Sequence, residues 1–264
     1  MKLLLSKSAL VFSTALLVAC ATSPLGRHQL ILLPDSQMDQ MGISAYQQLK
    51  TDQKISEIGT DNNYVRCVAN AITKTLNGNS SWEVNVFIDP SANAFALPGG
   101  KIGVNSGLLD VAQTPDQLAA VLGHEVGHVM AKHGNERMSI QYATQSGMQM
   151  IQAIAGEPTP EKQQLFGLLG LGSQVGIALP FSRKHESEAD LIGLQLMAKA
   201  GFDPRQSVDL WENMAKAGGG GQPEFLSTHP SNSTRIENLN ANMAEANRLY
   251  QKAKGSGHNP QCRR

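Results

Sequence analysis

His124-Glu125-Val126-Gly127-His128 sets two imidazoles one helical turn apart, with a carboxylate beside the first. On a helix, positions four apart differ by about 40° around the axis, so both rings can reach one ion. Glu125 then stays free as general base toward water activated by that ion. The chemistry this pattern supports is hydrolysis assisted by zinc.

Such a pair needs a rigid helix and a third protein ligand. Thr114-Pro115-Asp116-Gln117 reads as a helix start, with Thr114 as cap, Pro115 at the first position and Gln117 closing a capping box. Leu118, Val121, Leu122, Val126 and Val129 recur at helical spacing and should bury the helix. A third ligand is sought in His185-Glu186-Ser187-Glu188-Ala189-Asp190. Glu186 and Asp190 share a helix face, while Glu188 lies about 160° away from Asp190. The arrangement using both acids has Glu186 on the metal and Asp190 accepting the free ring N–H of a ligand histidine. Glu188 would then face away. His133, nine residues after His124, would sit on the opposite side of a continuous helix and is read as structural or surface. His28, His185 and His258 have no geometric case.

The chain has 264 residues, with 22 basic and 22 acidic side chains. This balance gives no reason to expect a nucleic-acid partner. Residues 1–19 read as a signal peptide: Lys2 and Lys7, a short apolar run from Ala9, then Leu17-Val18-Ala19-Cys20. That last string resembles a bacterial lipobox, which would make Cys20 the lipidated first residue of the mature protein, sorted to the outer membrane and facing the periplasm. Residues 20–35 would be a tether without clear period. Cys67 and Cys262 remain, either joined as a disulfide in an oxidising compartment or left as two thiols.

Further along, 36–54 and 61–76 read as helices and 82–88 as a strand. Asn93-Ala94-Phe95-Ala96-Leu97, Pro98-Gly99-Gly100 and Lys101-Ile102-Gly103-Val104 read as strand, tight turn, strand. The motif helix extends past Arg137 toward Gln145. Residues 148–182 mix apolar residues with glycine and proline, fitting either a mobile helical lid or a buried hairpin. A helix over 183–200 stops at Gly201, another follows Asp203-Pro204, and Ser231 caps the last, to about Lys252. The fold class is mainly α with a small β-sheet (α+β), with residues 36–254 as one metallopeptidase domain and 255–264 as a polar tail.

Taken in order, HExxH, Glu186-Ser187-Glu188-Ala189-Asp190, Ala200-Gly201-Phe202-Asp203-Pro204, and Ser227-Thr228-His229-Pro230 with Arg235 resemble the Ste-type CAAX-protease-like zinc metallopeptidases. The likeness runs over residues 36–252 and is greatest to the bacterial periplasmic and outer-membrane lipoprotein branch. It implies a gluzincin domain with one zinc on His124, His128 and Glu186, and Glu125 as catalytic base. It implies that 93–97 is an edge strand on which substrate adds as a further strand. It also places His229 near the zinc, stabilising the oxyanion or capping the resting metal, and Arg235 at the site.

The expected function is an endopeptidase that degrades unfolded or misassembled envelope proteins, with outer-membrane assembly machinery as a further partner. The competing expectation is a zinc-stabilised chaperone that rarely cuts. A peptidase for peptidoglycan cross-links ranks third.

Overall fold

The computed structural model describes residues 20–76, 81–144, 181–217, 224–229 and 234–264. The expected signal peptide lies outside them, as do Ser231 and all of the expected lid except Phe181 and Ser182.

The described part opens with a two-stranded antiparallel hairpin, β1 (Cys20–Thr22) and β2 (His28–Leu30). What reads in sequence as an irregular tether is therefore paired backbone. Three-residue strands are too short to show a period, and their stability comes from distant partners. Gln29 Nε2 donates to the Ala131 carbonyl at 2.5 Å, and the Arg27 guanidinium binds Glu136 and Glu188.

Helices α1 (Asp35–Asp52) and α2 (Gly59–Thr73) lead into β3 (Glu83–Phe87), β4 (Ala94–Leu97) and β5 (Lys101–Asn105). The sheet order is β3-β5-β4, with β3 parallel and β4 antiparallel to β5. Side chains alternate across it. Phe87, Phe95 and Leu97 pack with Met38, Met41, Tyr46 and Leu49 of α1. Val84, Val86, Ala94, Ala96, Ile102 and Val104 join the larger core with α2. Leu97 pairs with Lys101 across a turn whose Gly99 and Gly100 both have positive φ, 78° and 71°. The expected turn glycine at position 99 is thus in the left-handed region.

A short α3 (Leu108–Val111) precedes α4 (Pro115–Met130), which is buried throughout from Gln117 to His128. Thr114 Oγ1 accepts from the Gln117 amide at 3.1 Å. Gln117 Oε1 reaches back to the Gln113 amide at 2.9 Å, one residue before the cap position. The box therefore closes in a displaced form. The motif helix does not continue past Arg137 as expected. It ends at Met130, Lys132 turns the chain at φ 52°, and α5 (His133–Thr144) starts in a new direction.

Helix α6 (Arg183–Ala200) crosses α4, capped by Ser182 and ended by Gly201 at φ 90°. The crossing is close because glycines face each other: a Cβ on Gly193 would lie 2.7 Å from the His124 amide nitrogen. Helices α7 (Gln206–Ala217), α8 (Glu224–Thr228) and α9 (Arg235–Gly255) complete the described part. Cys67 of α2 and Cys262 meet with Cα atoms 5.6 Å apart, the geometry of a disulfide. Among the described residues no helix is long and apolar enough to cross a membrane.

Candidate metal centre

Helix α4 presents His124, Glu125 and His128, all buried, and the crossing α6 presents Glu186, which has no exposed surface. The C-terminal end of α8 adds His229. Donor atoms of His124, His128, Glu186 and His229 all lie within 4.8 Å of one another. The His124 and His128 Nε2 atoms are 3.1 Å apart. Each is 3.4 Å from a Glu186 oxygen. His229 Nδ1 is 3.3 Å from His124 Nε2 and 3.1 Å from Glu186 Oε1.

These separations fit a metal. Tetrahedral zinc with bonds of about 2.0–2.1 Å holds its ligand atoms about 3.3 Å apart. Ring nitrogens turned toward one another at this range also repel unless a cation or proton lies between them. The outward nitrogens support the same assignment. His124 Nδ1 faces Asp190 Oδ1 at 2.8 Å, which fixes its proton there and leaves the Nε2 lone pair for the cluster. Arg235 is almost wholly buried and forks between Asp190 Oδ2 and Glu186 Oε2, both at 2.6 Å, with its guanidinium 3.8 Å from the Trp211 ring.

Electrostatics follow from burial and neighbours. Burial pulls His124 down, but Asp190 and Glu186 outweigh it and bring the group to about 10. Burial pushes His128 well below the usual imidazole range. Burial would raise Glu186, yet the His229 charge and the three imidazole contacts hold it well below the usual carboxylate range. Glu125 is raised by burial, with His229 and His124 acting against the shift. Its Oε1 is buried without a hydrogen-bond partner and lies 3.5 Å from His229 Nε2.

Strand β4 runs past this acid. It is the sheet edge opposite β3, and the Ala96 backbone amide acts with the histidines against the upward shift of Glu125. The strand begins at Ala94; Asn93 stands before it, its carbonyl accepting from the Asn105 amide at 2.9 Å. A cavity of about 230 Å³ lies alongside, lined by Met38, Ala96, Pro98, His128, Lys132 and Phe181 among others.

One residue differs from expectation, and two others that stay outside the cluster as expected are buried beside it. His133 does not lie on the far side of the motif helix, because the chain turns at Lys132. It is fully buried, with Nδ1 2.9 Å from His128 Nδ1. Glu188 points away from the cluster but not into solvent; it meets His133 Nε2 at 3.2 Å. His185, given no case in sequence, stacks on His133 at 4.4 Å and faces Glu136 at 3.1 Å. Phe181 was also missed: its ring stacks within 4.1 Å of His128 and 5.3 Å of His229. The only signal available was the density of histidine and acid around two helix starts.

Two histidines on one buried helix, a glutamate from a crossing helix and a spare acid beside an edge strand define the architecture of a gluzincin metallopeptidase. The sequence comparisons agree. The model of Peptidase family M48 matches residues 60–243, and the chain belongs to that family. Its members use zinc, the ion the donor set fits. Mitochondrial metalloendopeptidase OMA1 of Schizosaccharomyces pombe is 42% identical over 167 residues, 62% of this chain and 48% of that protein. Metalloprotease LoiP of Escherichia coli is 28% identical, over 80% of this chain and 82% of its own length. Metalloprotease YcaL of the same organism is 29% identical, over 67% and 68%. The chain spans about half the length of the OMA1 protein it matches. None of these three names supports the narrower Ste-type CAAX-protease label, which the family assignment replaces.

Proposed function

We propose that the protein is a zinc-dependent endopeptidase that cuts unfolded or misassembled cell-envelope proteins, tethered by a lipid on Cys20 to the outer membrane and facing the periplasm. The observation behind the activity is Glu125: a buried acid with one unpartnered oxygen, between the donor cluster and an edge strand. Zinc held by His124, His128 and Glu186 would supply Lewis acidity and an activated water. Burial raises the proton affinity of Glu125, which suits it to take a proton from the attacking water and return it to the leaving amine. Asp190 and Arg235 keep His124 and Glu186 oriented. His229 fills the fourth corner of the cluster here; on leaving it, the ring can donate to the charge developing on the scissile carbonyl.

Among the described residues β4 is a sheet edge, and such an edge offers an extended peptide backbone hydrogen bonds with little dependence on side chains. Unfolded segments meet that demand and folded proteins do not. The compartment reading rests on Leu17-Val18-Ala19-Cys20 and on the Cys67–Cys262 geometry, which suits an oxidising environment. The bacterial names LoiP and YcaL favour it over the mitochondrial setting in the OMA1 name. Outer-membrane assembly machinery is a further partner in this reading.

The test is proteolysis of unfolded casein by the purified chain, with and without chelator, alongside Glu125→Gln. Cleavage should vanish with chelator and return with zinc. The variant should keep one zinc per chain and cut about 10²–10⁴-fold more slowly. A zinc-loaded parent that cuts nothing, while Glu125→Gln still rescues cells lacking the protein, would instead establish the chaperone reading.

A further inference from the structure

The two histidines of the motif helix each turn a second nitrogen away from the cluster, and the two meet different partners. His124 Nδ1 meets the Asp190 carboxylate directly, and Asp190 is braced by Arg235. His128 Nδ1 meets a third imidazole, His133 Nδ1, at 2.9 Å. The opposite nitrogen of that ring, Nε2, lies 3.2 Å from Glu188 Oε2. Glu188 is braced in turn by Arg27 Nε at 2.7 Å and by the Ser23 hydroxyl, both from the N-terminal hairpin.

The protons on this chain of contacts can be placed without ambiguity. With the His128 Nε2 lone pair directed into the cluster, its proton sits on Nδ1 and is donated to His133 Nδ1. His133, neutral, then bears its own proton on Nε2 and donates it to Glu188. One direction of donation satisfies every ring nitrogen in the series. We propose that His133 is a positioning residue for His128, and that His133, Glu188 and Arg27 form a relay by which the N-terminal hairpin fixes His128 in its metal-binding tautomer. The inference rests on the metal-site reading above.

The backbone supports it independently. His133 reaches His128 only because α4 breaks at Ala131 and Lys132 adopts φ 52°, a conformation uncommon for a side chain of that type. The break is held from outside: Gln29 of the same hairpin donates to the Ala131 carbonyl and to Glu136 Oε2. Hairpin, helix break and imidazole thus converge on one ligand. Each motif histidine ends on a carboxylate braced by an arginine, directly for His124 and through one imidazole for His128. Arg27 stands seven residues after Cys20, so the segment expected to follow a lipid anchor also reaches the metal centre.

The experiment measures zinc affinity of the full chain by competition with a chelator, and thermal midpoints of its zinc-free and zinc-loaded forms. His133→Phe keeps a ring against His185 and Phe181 but cannot accept from His128. Its zinc affinity should fall about 10–100-fold with the zinc-free midpoint unchanged. His133→Gln, whose amide can accept and donate at once, should recover most of the loss. Arg27→Met should shift affinity the same way by a smaller factor, and it decides the matter should His133→Phe fail to fold. Parental zinc affinity in His133→Phe, a glutamine no better than phenylalanine, or an equal drop in both midpoints would each overturn the relay. A parent chain without stoichiometric zinc would overturn the metal-site reading itself, and the relay with it.

Discussion

Arg235 shows how much the centre depends on single side chains. Its guanidinium is buried, charged and divided between two carboxylates, with a tryptophan ring against its face. Burial alone would lower its proton affinity, but Asp190 and Glu186 raise it, so the charge is retained. Arg235→Met would leave both acids buried without their cation. Removing one partner of a buried ionic group costs about 3–5 kcal/mol. Denaturant unfolding of the zinc-free protein should show a loss of that size, and Arg235→Lys should restore little, since a point charge cannot fork. A near-neutral Arg235→Met would mean that the carboxylates find other partners. The residues legible from sequence were those whose partners sit one helical turn away: His124, His128, Glu186 and Asp190. Nothing local marks Arg235 or His229, which reach the site from other helices; family likeness alone pointed to them. His133 differs from expectation because the helix breaks at Lys132, a lysine in the left-handed region that nothing in the apolar period announces.

At the level of elements, the site is the crossing of α4 and α6, and two glycines set its closeness. A Cβ on Gly193 would fall 2.7 Å from the His124 amide nitrogen and 2.8 Å from the Gly123 carbonyl carbon, both backbone atoms with no room to yield. Gly193→Ala must therefore push the helices apart, drawing Glu186 away from the histidines. Overpacking of this kind costs about 1–3 kcal/mol. Unfolding and zinc affinity should weaken together in Gly193→Ala. Gly255, at the end of α9, has nothing within 4 Å of its would-be Cβ, so Gly255→Ala should leave both unchanged or slightly improved. Equal effects at the two positions would contradict a packing origin. The helices themselves are readable because stops are local: α6 spans 183–200 and ends at Gly201 as expected, while its Ser182 cap goes unread inside the 148–182 segment. Tertiary partners are not readable, and the β1–β2 hairpin carries no period of its own because Arg27 and Gln29 hold it to distant residues.

For the whole molecule, the docking of that hairpin links chain stability to pH through Glu136. The carboxylate receives Arg27 Nη1 and Nη2 at 2.7 and 2.6 Å and Gln29 Nε2 at 3.0 Å from the hairpin, and faces His185 Nε2 at 3.1 Å from α6. Burial would raise Glu136, but the Arg27 hydrogen bonds, then Gln29 and His185, hold it below its ordinary 4.5. A carboxylate depressed in the folded state binds fewer protons there than in the unfolded chain. Its stabilisation is complete above the ordinary value and disappears as pH falls through the depressed one. Glu136→Gln should therefore be less stable than the parent at pH 7 by about 1–3 kcal/mol, the scale of a charged hydrogen bond. As pH drops below 4.5 the parent should lose this advantage and the two unfolding free energies should converge. Urea titrations of both zinc-free proteins at neutral and acid pH read the difference directly, and a gap independent of pH would assign the docking to packing rather than to the ion pair.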